Sequence, residues 1–189
     1  LQLIRTARGL RLWTGVLISP AGSEGLAAFP DVTSAPVVAR ASNGAPIVAA
    51  GNAGGAYAAF EGASGRRLWQ RELGSLAPAW ADDTSLYLAT TEPRLMRLDV
   101  MTGETLWSAT LDGYEDPEDR EDPITWSGPV LAGGRLLVGA SDGRLVAFDP
   151  QTGATLGETE APGGASAGAA AAGGTIFVLT DAGDLLAFR

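Results

Sequence analysis

Gly133–Leu156 reads GGRLLVGASDGRLVAFDPQTGATL. Two short apolar runs, Arg135–Ala140 and Arg144–Phe148, flank Ser141-Asp142-Gly143. An Asp-Gly pair between strand-like runs predicts a hairpin, because glycine takes positive φ without a Cβ clash. A second turn follows at Asp149-Pro150-Gln151-Thr152-Gly153. There Pro150 presets φ at the start of the turn, and Gly153 supplies a permissive backbone at its end. The stretch therefore predicts strand, tight turn, strand, tight turn, strand, with no helix.

The same unit recurs along the chain, and the recurrence decides the fold. Aligned on the turn glycine, Ile4–Gly9, Phe60–Gly65, Leu98–Gly103 and Phe148–Gly153 superimpose, with Asp99 and Asp149 at the first turn position of the last two. Trp13, Trp69 and Trp107 stand four residues after Gly9, Gly65 and Gly103, and Gly157 takes that place after Gly153. A fifth copy, Gly183–Arg189, repeats the strand Gly143–Asp149. The shortest glycine spacing, from Gly65 to Gly103, fits a four-stranded propeller blade of ~40 residues, and the longer ones fit the same blade with insertions. Such blades cannot bury their own faces and must stack on their neighbours. The expectation is an all-β propeller of four-stranded antiparallel blades, with four to five blades represented. The repeats are expected at residues 1–18, 34–73, 76–111, 127–160 and 166–189. The tryptophans read as blade-docking residues, because large aromatics fill junctions between stacked sheets.

Composition narrows the chemistry. There is no cysteine, so neither a disulfide framework nor thiolate metal chemistry is available. There is no histidine, which removes the commonest general base and any Ser-His or Zn-His arrangement. The net charge of −9 argues against nucleic acid and anionic membrane surfaces as partners. No apolar run approaches the ~20 residues that span a bilayer. Leu1 already falls inside a repeat, so the reading expects an N-terminal part beyond this sequence.

Residues 112–123, DGYEDPEDREDP, are the most polar stretch. Two prolines and a dense run of like charge predict a solvated loop rather than a strand. Calcium is a conceivable ligand for its carboxylates, but the loop lacks the D-x-[DN]-x-[DN]-G spacing. Gly51–Gly55 is glycine-rich, yet it lies between strands and opens no helix, which does not suit a phosphate cradle. The residues offer no catalytic constellation and no cofactor site.

Leu98–Trp107, LDVMTGETLW, and Phe148–Leu156, FDPQTGATL, resemble the quinoprotein-type propeller repeat, whose A-x-D-x-x-T-G-x-x-x-W motif docks each tryptophan between adjacent blades. Within that group, Phe29–Val38, FPDVTSAPVV, and Leu68–Ser75, LWQRELGS, are similar to the C-terminal half of the BamB family of outer-membrane assembly lipoproteins. The acidic stretch followed by Ile124–Leu131, ITWSGPVL, resembles alphaproteobacterial versions of that family. The resemblance implies an eight-bladed ring, about half of it in this chain; pairing with a missing half, the favoured reading, or with a second copy gives eight blades, and closure of the chain on itself gives four. It also implies a periplasmic, non-catalytic scaffold that binds the barrel-forming subunit of the assembly machine. Membrane contact would then come only through a lipid anchor on the N-terminal part. The family's D-V-D segment in the partner-contacting loops reads Asp31-Val32-Thr33 here, which makes these three residues the candidate partner-binding site. Two alternatives stay open: a dehydrogenase holding pyrroloquinoline quinone, for which no cofactor residues can be placed, and a sensor or adhesion propeller.

Overall fold

The computed structural model describes residues 1–5, 10–19, 32–41 and 43–189, and every regular element among them is a β-strand. β1 (Gln2–Arg5) and β2 (Leu10–Thr14) form a two-stranded antiparallel sheet. β3 (Val37–Arg40), β4 (Pro46–Gly51), β5 (Tyr57–Glu61) and β6 (Arg67–Arg71) form a four-stranded sheet in sequence order. β7 (Trp80–Ala81), β8 (Ser85–Ala89), β9 (Arg94–Asp99) and β10 (Thr105–Thr110) repeat that order. β11 (Tyr114–Asp116) and β12 (Glu121–Pro123) make a separate hairpin. A further four-stranded sheet contains β13 (Val130–Ala132), β14 (Arg135–Gly139), β15 (Arg144–Phe148) and β16 (Thr155–Glu160). β17 (Ala169–Ala172), β18 (Thr175–Leu179) and β19 (Leu185–Phe188) form a three-stranded sheet. This simple up-and-down order is that of propeller blades. The chain divides into two compact units, residues 1–86 with 98–106, and residues 87–97 with 107–189.

The repeated turn explains why each outer strand begins where it does. Asp99 Oδ1 accepts hydrogen bonds from the Met101 and Thr102 amides, and the Gly103 amide donates to the Asp99 carbonyl at 2.8 Å. Asp149 does the same for Gln151, Thr152 and Gly153. The amides of Thr152 and Gln151 hold the Asp149 carboxyl below its ordinary value of 3.8 by favouring the charged form. At the equivalent place Glu61 accepts from the Ser64 hydroxyl, so a longer carboxylate serves the same turn.

Gly65, Gly103 and Gly153 all take φ near +73°, at 74°, 72° and 74°. A Cβ on any of them would also lie 2.6 Å from an indole, that of Trp13, Trp69 or Trp107 respectively. Each indole donates to a carbonyl three residues before that glycine: Trp13 to Gly62 at 2.8 Å, Trp69 to Val100 at 2.9 Å and Trp107 to Pro150 at 3.0 Å. Each tryptophan thus reaches from the outer strand of one sheet to the turn of the next. An aromatic ring backs each one: Phe60 at 6.0 Å from Trp13, Tyr57 at 6.5 Å from Trp69, and Tyr87 at 6.2 Å from Trp107. A buried indole with its N–H satisfied contributes both area and direction to such a junction.

A bulge precedes the docking position in three sheets. Trp69 pairs with Ala59, yet Arg67 pairs with Phe60, so Leu68 opposes nothing. Leu12 in β2 and Leu156 in β16 are left out in the same way. The extra residue turns the next side chain onto the face that meets the neighbouring sheet. It leaves Leu12 and Leu156 exposed.

Residues 112–123 differ from the sequence expectation of a loop. They form the β11–β12 hairpin, and all six of its strand residues are exposed. The prolines are tolerated because Pro117 lies in the turn and Pro123 ends its strand, where a missing N–H costs little. Asp116 Oδ1 caps the turn by accepting from the Glu118 and Asp119 amides. Arg144 ties the hairpin's base to the β13–β16 sheet. Its guanidinium lies 2.6 Å from Asp142 and 2.9 Å from Asp112, and it stacks 5.6 Å above the Trp126 ring. Trp126 in turn donates to the Asp112 carbonyl at 2.8 Å.

Trp69→Ala should cost about 3–5 kcal/mol in urea unfolding, and Gly103→Ala, which combines positive φ with the ring clash, at least about 2 kcal/mol. The depressed Asp149 contributes stability that is present above the ordinary carboxylate range and lost as pH falls through it and below. Asp149→Asn should therefore flatten the acid limb of a stability–pH curve measured by denaturant unfolding. Because the Arg144 side chain is 30% exposed, Arg144→Lys should cost only about 1 kcal/mol globally. It should still raise amide hydrogen exchange across residues 114–123.

Candidate interaction surface

Of the three expected partner-binding residues, the structure describes two. Asp31 lies outside the described residues, as does Gly9 of the first turn. Val32 and Thr33 are exposed just before β3. Val32 forms a bridge to Asn52, and the Thr33 hydroxyl donates to the Ser75 carbonyl at 3.0 Å. The Thr33 and Ser34 amides both point at the Gly51 carbonyl, at 3.3 Å.

Asn52, wholly buried, gathers this corner, and nothing in the sequence singled it out. Its Oδ1 accepts from the Ala56 amide at 2.9 Å, and its backbone exchanges a second bond with Ala56. Its Nδ2 donates to the Ser19 hydroxyl at 3.0 Å, and its carbonyl accepts from the Ser75 amide at 3.0 Å. Three segments far apart in sequence meet at one residue, Ser19 at its side chain and Val32 and Ser75 at its backbone. Gln70 adds a bond to the Ile18 carbonyl at 2.8 Å. Beside these anchors stand three exposed apolar side chains: Ile18 at 59%, Val32 at 39% and Leu76 at 48%. Satisfied polar groups below and apolar side chains above make a surface suited to another protein.

Tyr57 also lies in this unit. Burial pushes its phenol up, with the nearby Ser34 hydroxyl acting weakly the other way, and among the described residues its hydroxyl meets no partner in good hydrogen-bond geometry. Its ring is nonetheless used, against Trp69. Among the described residues no group of three or more His, Cys, Asp or Glu converges as metal ligands. The second feature unseen in sequence is Arg144. Its guanidinium gathers Asp112, Asp142 and, at 3.8 Å, Glu158, and Asp142 raises its pKa most.

The family model described as outer membrane protein assembly factor BamB matches residues 1–109 and again 102–189. The chain is 33% identical over 138 residues to the outer membrane protein assembly factor BamB of Escherichia coli K12, covering 73% of this chain and 32% of that protein. It is 24% identical to the Legionella pneumophila factor over 98% of this chain and 44% of that one. The chain thus spans about a third to a half of the length of these relatives. The crystal structure of BamB from Moraxella catarrhalis superimposes with a TM-score of 0.63 at 22% identity, over 83% of this chain and 46% of that one. The computationally designed Ika4 protein superimposes with a TM-score of 0.61 at 17% identity, over 93% and 98%. The fold is therefore a β-propeller of the quinoprotein-repeat type, and the chain belongs to the BamB family of outer membrane protein assembly factors.

Proposed function

We propose that this chain is a non-catalytic scaffold in outer-membrane protein assembly. It works at the periplasmic side of the membrane and docks a protein partner through the surface around Val32 and Thr33. The observation that carries the reading is the family membership, joined to an exposed apolar corner built on Asn52. The partner in this reading is the barrel-forming subunit of the assembly machine, and Asp31 extends the contact on the N-terminal side. Rigid sheets that present loops are a physical basis for such recognition, because a fixed backbone loses little entropy on binding. The chain has no histidine, and among the described residues Asp99, Asp116 and Asp149 cap turns while Asp112, Asp142 and Glu158 surround Arg144.

The test is association of the purified chain with the periplasmic part of the barrel-forming subunit, read by calorimetry. Val32→Asp and Leu76→Glu together should weaken binding about tenfold or more, a loss of about 1.4 kcal/mol. The thermal midpoint should hardly move, because both sites are exposed. Asn52→Ala should lower stability by about 1–3 kcal/mol and weaken binding as well, by loosening the corner. Leu185→Glu, exposed on β19, serves as the control and should change nothing. Wild-type affinity in the double variant would remove this surface from the reading.

A further inference from the structure

The connections between successive sheets show where this chain departs from its own pattern. β6 reaches β7 through residues 72–79 and β16 reaches β17 through residues 161–168, eight residues in each case. Between β10 and β13 the connection is residues 111–129, and the β11–β12 hairpin is the inserted part. Insertions in a repeat architecture fall in loops and commonly mark its binding face. The two strands of the hairpin pair only with each other. All six strand residues are exposed, so neither face of this small sheet is covered.

Charge is the second departure. Residues 112–123 hold seven carboxylates and one cation, Arg120, a net −6 in a chain of −9. Asp112 is paired with Arg144, and Asp116 Oδ1 caps the turn. Among the described residues Glu115, Glu118, Asp119, Glu121 and Asp122 have no ion-pair partner within 4 Å. Asp116 stands directly opposite Glu121 in the strand pairing. Like charges at opposed positions destabilise a strand pair, and no cation within 4 Å offsets this one. A local rule broken without an internal gain points to a cation supplied from outside the chain.

A groove of about 430 Å³ lies between the hairpin and the β14–β15 turn. Tyr114, Pro117 and Ile124 give it apolar walls, and Asp112 and Glu115 give it carboxylates. The one cation in its lining, Arg144, is already held by Asp142 at 2.6 Å and Asp112 at 2.9 Å. Glu115 is left for a charge from outside. An apolar stem that ends in a cation matches this lining, which is the form of an arginine or lysine side chain.

We infer that the β11–β12 hairpin is a second docking site, which takes a basic segment of a partner polypeptide. One arginine or lysine of that segment lies along Tyr114 with its head at Glu115, and a further cation meets the opposed Asp116 and Glu121. Charge complementarity supplies the selectivity and a salt-sensitive encounter. The inference does not depend on which protein meets Val32 and Thr33.

The test titrates the whole chain with a short blocked peptide carrying arginine at alternate positions, following backbone amides by NMR. The same peptide with citrulline in place of arginine, and calcium alone, are the comparison probes. Shifts should cluster at residues 113–124 and at Arg144. The arginine peptide should bind at least about tenfold more tightly than the citrulline one at low salt. Glu115→Lys should weaken it at least about tenfold, whereas Glu104→Gln, exposed before β10, should leave it unchanged. Glu121→Gln should slow amide exchange across residues 114–123 and yet weaken the peptide about threefold, a trade that a purely structural carboxylate would not show. Shifts spread along the chain, equal affinity for the citrulline peptide, calcium reproducing the same shifts, or undiminished binding by Glu115→Lys would overturn the inference.

Discussion

Everything in this structure depends on an indole resting on a glycine. The glycine is needed twice over, once for a left-handed φ and once because a Cβ would occupy the ring's own volume. The indole N–H then selects a single carbonyl on the same turn, so the contact fixes orientation as well as distance. Burial alone is non-directional and would let stacked sheets slide. One directional bond per junction converts a greasy face into a defined seat. The turn carboxylates belong to the same device, because Asp99 and Asp149 hold the carbonyl-bearing loop in shape.

This device was legible in the sequence because all its parts are local. Aspartate, threonine, glycine and tryptophan fall within nine residues, and each has a stated conformational reason to be there. Other features were not legible, for a common physical reason. Asn52 acts by joining Ser19, Val32 and Ser75, and nothing near it in sequence announces those partners. Arg144 reads as one more strand-end cation until the fold brings Asp112 and Trp126 to it. The hairpin at residues 114–123 was hidden because proline and charge penalise strands on average. The penalty vanishes where a proline sits in a turn or at a strand end. Alternation also cannot reveal the bulge at Leu68, since Leu68-Trp69 looks like an ordinary apolar pair.

The corner around Val32 rests on hydrogen bonds that join Thr33, Asn52, Ser19 and Ser75, so it is presented already formed.

The bulged outer strands have a consequence for the solubility of the molecule. The outer edges of β2, β6 and β16 are last in their sheets and would otherwise offer rows of unpaired amides and carbonyls to another chain. Two residues opposed to one break that row in mid-strand and tighten its twist, so a second strand cannot run along it in register. The irregularity that aims each tryptophan at its seat thus also blunts the edge against fibrous self-pairing.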